Sequence, residues 1–150
     1  MKSQLVLYGG ALKHENGLRS QHLVTLMQNF LVALVMHDPK AIPFADEVKF
    51  TENTADIPVG DGLWVTASGC PTEFQVYAAD SVAQQVACLV VMKENNNQDL
   101  LLGARLALRR GKIAEAEHHV VRDAGLLALA NLRKPRSGLV LPYGTRTGWE

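Results

Sequence analysis

Arg105, Glu115, Glu117 and His119 are the side chains of this 150-residue chain whose types and spacing best suit proton chemistry. They fall within residues 100–122, LLLGARLALRRGKIAEAEHHVVR, where ionisable side chains alternate with apolar ones. The alternation has the period of a β-strand. Leu102, Ala104, Leu106 and Leu108 point one way, and Leu101, Gly103, Arg105, Ala107 and Arg109 the other. Arg110-Gly111-Lys112 makes the turn, with glycine supplying the positive φ of a tight hairpin. The return strand places Ile113, Glu115, Glu117, His119 and Val121 on one face and Ala114, Ala116, His118 and Val120 on the other. His118 and His119 therefore cannot share a site without a bulge. A cation, carboxylates and an imidazole within reach across paired strands form an acid–base group if they line a pocket. They form an ion-paired outer face if they do not.

Further candidates lie upstream. Tyr77 and Asp80 suit a phenol oriented by a carboxylate, or a base facing a carbonyl; the other reading of Asp80 is a turn cap before Ser81. Trp64 offers a flat apolar wall with one donor, in a ligand pocket or in the core. Glu52-Asn53 follows an expected strand and suits a polar pocket rim or a fixed turn. His37 falls at a helix C-terminus, where the helix dipole favours it without any further role. Metal is not expected, because Glu115, Glu117 and His119 would stand about 6 to 7 Å apart along a strand. Tyr8-Gly9-Gly10 and Gly60-Asp61-Gly62 lack the strand–loop–helix context of a phosphate loop, so no nucleotide or other cofactor is expected.

Composition narrows the function class. Fifteen basic and fifteen acidic side chains cancel, which argues against a nucleic-acid partner. No apolar run is long enough to cross a membrane, and residues 1–10 lack the pattern of a signal peptide. Cys70 and Cys88 form no disulfide framework or metal spacing, so a cytoplasmic location is the expectation.

The elements that must hold these residues follow in order. SQHLVTLMQNFLVALVMH, residues 20–37, has helical spacing, with Ser20 as N-cap and Asp38-Pro39 as its stop. A short helix is expected near 40–45, a strand at 48–51, and either a strand or one helical turn at 62–67. Strands follow at 74–77 and 82–92, then the polar turn ENNNQD and the hairpin. Residues 1–19 read as an N-terminal arm, 20–130 as the domain, and 131–150 as a tail after a short helix. One strong helix against several long antiparallel strands is an α+β packing in which a strongly curved sheet wraps the helix as a cone-shaped barrel.

Four segments in order, MHDPKAIPFADEVKFTENT, VGDGLWVTASG, QVYAADSVAQQVA and ARLALRRGKIAEAEHHVVR, resemble the SnoaL-like family of the nuclear transport factor 2-like superfamily, in a domain-of-unknown-function subgroup found in fungi and bacteria. The resemblance covers about residues 22–123. It implies a cone-shaped α+β barrel with a pocket between sheet and helices, often a homodimer through the outer face of the sheet. It transfers no catalytic residue, and fold alone does not give function. The expected activity is cofactor-independent acid–base chemistry on an apolar, oxygenated small molecule, as isomerase, cyclase, dehydratase or hydrolase. In that reading Asp80 or His119 is the base, Arg105 holds a developing oxyanion, Tyr77 and Glu117 complete the group, and Trp64 and Glu52 shape the pocket. The alternative is a ligand-binding or dimerisation module of the same fold without chemistry.

Overall fold

Leu23, Val24, Met27, Phe30, Leu31 and Leu34 form the buried stripe of helix α1, His14–Val35. The computed structural model describes residues 5–8, 14–72, 74–95 and 97–136. The helix begins at His14, so Ser20 lies inside it, 2% exposed, and is not the N-cap expected from its type. It ends where His37 adopts a left-handed φ of 55°. The Asp38 carboxylate then accepts the Lys40 N–H and opens a single 3-10 turn, Pro39–Ala41.

Among the described residues the sheet has eight strands, more than the sequence reading expects, and two of their pairings are not antiparallel. The strands are β1 Leu5–Tyr8, β2 Phe44–Glu52, β3 Ala55–Asp56, β4 Ala67–Gly69, β5 Gln75–Asp80, β6 Gln85–Glu94, β7 Gln98–Arg109 and β8 Lys112–Val121. The order across the sheet is β1-β5-β6-β7-β8-β2-β3, with β4 pairing β6. Pairing is not wholly antiparallel, because β1 runs parallel to β5 and β2 parallel to β8. Part of the segment expected as an arm is thus the strand β1 at one edge of the sheet. The strand expected from Val82 starts only at Gln85, because residues 81–84 form the turn between β5 and β6. Two short helices, α2 Leu63–Thr66 and α3 Leu126–Arg133, complete the described chain; the expected tail beyond Arg136 lies outside it.

The sheet packs one face on α1 and leaves the other half exposed. Phe50, Tyr77, Val86, Cys88, Val90, Met92, Leu102, Ala104 and Leu106 belong to the packed face. The hairpin has the expected alternation with one correction. Ala107 pairs with Glu115 and Leu108 with Ile113, so Ala114 is an extra residue in β8. This bulge shifts the alternation by one position, which puts Ile113 in the core while Glu115, Glu117 and His119 stay on the outer face.

The fold class is therefore the curved α+β sheet read from the sequence. Among the described residues no helix is long and apolar enough to cross a membrane.

Candidate active site

The outer face does bring Arg105, Glu115, Glu117 and His119 together. Arg105 donates to Glu117 at 3.1 Å, to Glu115 at 3.0 Å and to Gln85 at 3.3 Å; His119 Nε2 lies 3.2 Å from Glu117. Every carboxylate here has a cation beside it. Hydrogen bonds from Arg105 outweigh partial burial and hold both glutamates below the usual carboxylate range. That is the opposite of what a general base needs. Arg105, Glu117 and His119 are thus corrected from an acid–base group lining the interior to an ion-paired outer face. Exposed pairs of this kind contribute little, so Arg105→Ala is expected to cost about 1 kcal/mol or less in urea denaturation.

Asp80 also stands outside the interior. One carboxylate oxygen accepts the N–H groups of Val82 and Ala83, at 2.8 and 3.0 Å, which makes it the cap of the β5–β6 turn. Tyr77 points the other way. It is 1% exposed, its hydroxyl donates to Gln75 at 2.9 Å, and burial pushes its phenol far up. Tyr77 and Asp80 lie on opposite faces of β5 and do not act on each other. Burial likewise pushes the Cys88 thiol up to about 12, which removes it as a nucleophile.

The polar groups that do face α1 are others. His118 is fully buried, and its ring meets Phe50 and Phe30 edge-on, with centroids 4.9 and 5.6 Å away. Neither ring nitrogen has a hydrogen-bond partner among the described residues. Glu52 Oε2 lies 3.6 Å from Nδ1, within ion-pair reach and beyond ordinary hydrogen-bond length. The sequence builds this juxtaposition through the parallel pairing of β2 and β8, which sets Glu52 beside His118 in register. Asn53 then locks the crossing. Its side chain both accepts from and donates to the Val120 backbone, at 2.8 and 3.1 Å, while its own N–H donates to the His118 carbonyl.

Glu52 is the hub of this cluster. The same Oε2 accepts the Leu63 N–H at 2.8 Å, at the start of α2, and Arg122 approaches Oε1 at 3.7 Å. Burial raises its pKa, but His118, the Leu63 N–H and Arg122 together outweigh burial and hold the carboxyl below its ordinary value. Arg122 also donates to Glu94 at 2.7 Å, and Glu94, 2% exposed, accepts from Thr66 at 2.9 Å. Trp64 on α2 is 1% exposed, packs on Phe30 and Phe44, and has an indole N–H without a partner among the described residues. His37 donates from Nδ1 to the Trp64 carbonyl and ties the end of α1 to α2.

Gly62 fits this arrangement for a steric reason. Its φ is 62°, and a Cβ there would lie 2.7 Å from Glu52 Oε2. Gly62→Ala is accordingly expected to displace the carboxylate and cost about 2 kcal/mol, read as a shift in urea midpoint with an unchanged slope.

Of the residues expected at the site, Glu52 and Trp64 belong to the inner cluster; His118, Glu94 and Arg122 were not singled out. The signal for His118 was present in its place among Ala116 and Val120 on the apolar face of β8. Glu94 was read into the polar turn that follows it.

No family model matches the chain, and no curated protein matches it. Solved structures do. A candidate polyketide cyclase from Xanthomonas campestris pv. campestris aligns with a TM-score of 0.50 at 16% identity, over 67% of this chain and 91% of its own. PrhC from Penicillium brasilianum NBRC 6234 aligns with a TM-score of 0.52 at 9% identity, over 77% of this chain and 88% of its own. At these identities the likeness is one of fold, the curved α+β cone that the sequence reading expects.

Proposed function

We propose that this chain is a SnoaL-like small-molecule enzyme that moves a proton with His118 and Glu52, without a cofactor, on an apolar oxygenated substrate. One observation carries the reading: a fully buried imidazole has Nδ1 3.6 Å from a carboxylate and, among the described residues, no partner for Nε2. Buried polar atoms are almost always hydrogen-bonded, so an unpartnered one needs an explanation. A reacting group waiting for substrate supplies it. His118 accepts the proton, and Glu52 stabilises the imidazolium that results. The unpartnered Trp64 indole N–H provides a donor for a substrate oxygen. His118 is closed from solvent while the Glu52 side chain is 11% exposed, so substrate would reach the imidazole from the Glu52 side. The reaction class is isomerisation, cyclisation, dehydration or hydrolysis, each of which acid–base catalysis assists while the substrate, or water in hydrolysis, supplies the nucleophile and leaving group.

The second reading, a ligand-binding or dimerisation module without chemistry, is favoured by the same closure, with His118 0% and Trp64 1% exposed. A panel of a β,γ-unsaturated ketone, an epoxide and a β-hydroxy ketone separates the two. The enzyme reading expects turnover of at least one compound, with His118→Leu and Glu52→Gln lowering kcat/KM by about 10²- to 10⁴-fold. His119→Ala and Asp80→Asn should leave it unchanged. No turnover by the native chain, or full turnover by His118→Leu, overturns the proposal.

A homodimer through the outer face belongs to the same reading. Leu89 and Val121, 39% and 41% exposed, stand on that face beside the Arg105 network. Light scattering is expected to report twice the chain mass. The two free cysteines, Cys70 and Cys88, suit the proposed cytoplasmic location.

A further inference from the structure

The hairpin-turn end of the sheet holds a second concavity that the acid–base reading does not use. It is a cavity of about 530 Å³ between the N-terminal half of α1 and the turns at Gln84 and Gly111. Gly111 is separated from His118 by roughly 20 Å along β8. Leu23, Leu26, Pro43 and Leu108 supply an apolar lining, and Arg19 and His22 stand with them. Arg19, His22, Leu23 and Leu26 follow the spacing that puts residues on one helix face.

The walls are fixed by backbone bonds. The Leu108 N–H donates to the Gln84 carbonyl at 2.9 Å, and the Ile113 N–H donates to the Pro43 carbonyl at 2.8 Å. These bonds tie the β5–β6 turn and the start of β2 to the hairpin, so the concavity is preformed. Its charge is one-sided. No carboxylate is among the described lining residues, and Arg19 and His22, both exposed, form no ion pair with any described residue. Arg110 and Lys112, exposed on either side of Gly111, add to the same field.

We propose that this cavity binds a small anionic amphiphile, specifically an aliphatic monocarboxylate with its tail on the leucines and its carboxylate on Arg19. The planar guanidinium matches a carboxylate through two parallel hydrogen bonds, and His22 offers a further donor. The volume lies in the range of small-molecule sites. This inference is independent of the His118–Glu52 proposal and stands or falls without it.

Calorimetric titration of the full chain with decanoate below its micellar concentration tests it, with acetate and decanol as head-only and tail-only probes. Saturable one-to-one binding of decanoate is expected, with acetate and decanol much weaker. Arg19→Gln, on an exposed helix position and checked by near-UV circular dichroism, should weaken decanoate about tenfold. His119→Ala should leave binding unchanged. Absence of saturable decanoate binding, equal affinity for decanol, or equal affinity in a folded Arg19→Gln variant overturns the assignment.

Discussion

Trp64→Ala is expected to lower the free energy of unfolding by about 3–5 kcal/mol, the largest effect of any single substitution considered for this chain. The indole is 1% exposed and meets Phe30 and Phe44 edge-on at centroid distances of 5.5 and 6.2 Å. Alanine would leave a cavity bounded by those rings, and the bonds that anchor α2, from the Leu63 N–H to Glu52 and from the Asn95 N–H to the Thr66 carbonyl, oppose its collapse. Trp64→Phe separates packing from polarity. Because the indole N–H has no partner among the described residues, phenylalanine loses volume but no hydrogen bond. The expected cost is about 1–2 kcal/mol. Urea denaturation of both variants measures the difference. A loss under about 1 kcal/mol for the alanine variant would show that α2 does not close the core.

Glu52→Ala is expected to cost about 3 kcal/mol, because it removes the ionised acceptor of a half-buried backbone N–H and one of the two carboxylates beside Arg122. The Leu63 N–H loses its acceptor, and His118 and Arg122 lose their nearby carboxylate. The same contacts set a pH dependence. Glu52 titrates below its ordinary value of 4.5 in the folded chain, so its contribution is fully present above that value. It is lost as pH falls through the depressed folded value. The native chain should therefore lose stability on acidification below the ordinary carboxylate range. Glu52→Ala should show a shallower slope over that interval. Glu115, Glu117 and Asp99 are also depressed and titrate in the same direction, so the native slope should be reduced in the variant and not abolished. An unchanged slope would show that Glu52 is not held as described.

Much of the architecture was legible because it follows from periodicity. The stripe from Leu23 to Leu34 and the alternation from Leu100 to Leu106 each have one dominant period, which marks the element in both and the buried face in the helix alone. The start of α1 was not legible. Ser20 is a strong capping type, but local preference yielded to a helix that continues back to His14 and buries the hydroxyl. The parallel partnering of β2 with β8 was hidden as well, since pairing between distant strands leaves no local mark.

The site was less legible than the fold for a related reason. Residue type identifies groups able to do chemistry, but the face on which they stand decides whether they do it. Glu115, Glu117 and His119 follow the strand period faithfully, yet the period does not say which face the helix covers. The bulge at Ala114 adds to the difficulty, because Ile113 and Ala116 then share the core face despite their odd spacing. Ala116, His118 and Val120 are the covered set, so His118 and not His119 is the imidazole that faces α1. Arg105, the most conspicuous cation of the hairpin, is instead absorbed in neutralising its neighbours.

We infer that His118 is kept in the core for chemistry and not for stability, and the unfolding free energy of His118→Leu decides between the two. An imidazole between two phenyl rings, with no partner for Nε2 among the described residues, is a poor core residue, and leucine fills similar space without a desolvated polar group. The variant is expected to be as stable as the native chain or more stable, by up to about 1–2 kcal/mol. A loss of about 3 kcal/mol or more would contradict it, because the His118–Glu52 contact would then be a structural ion pair that holds β2 against β8.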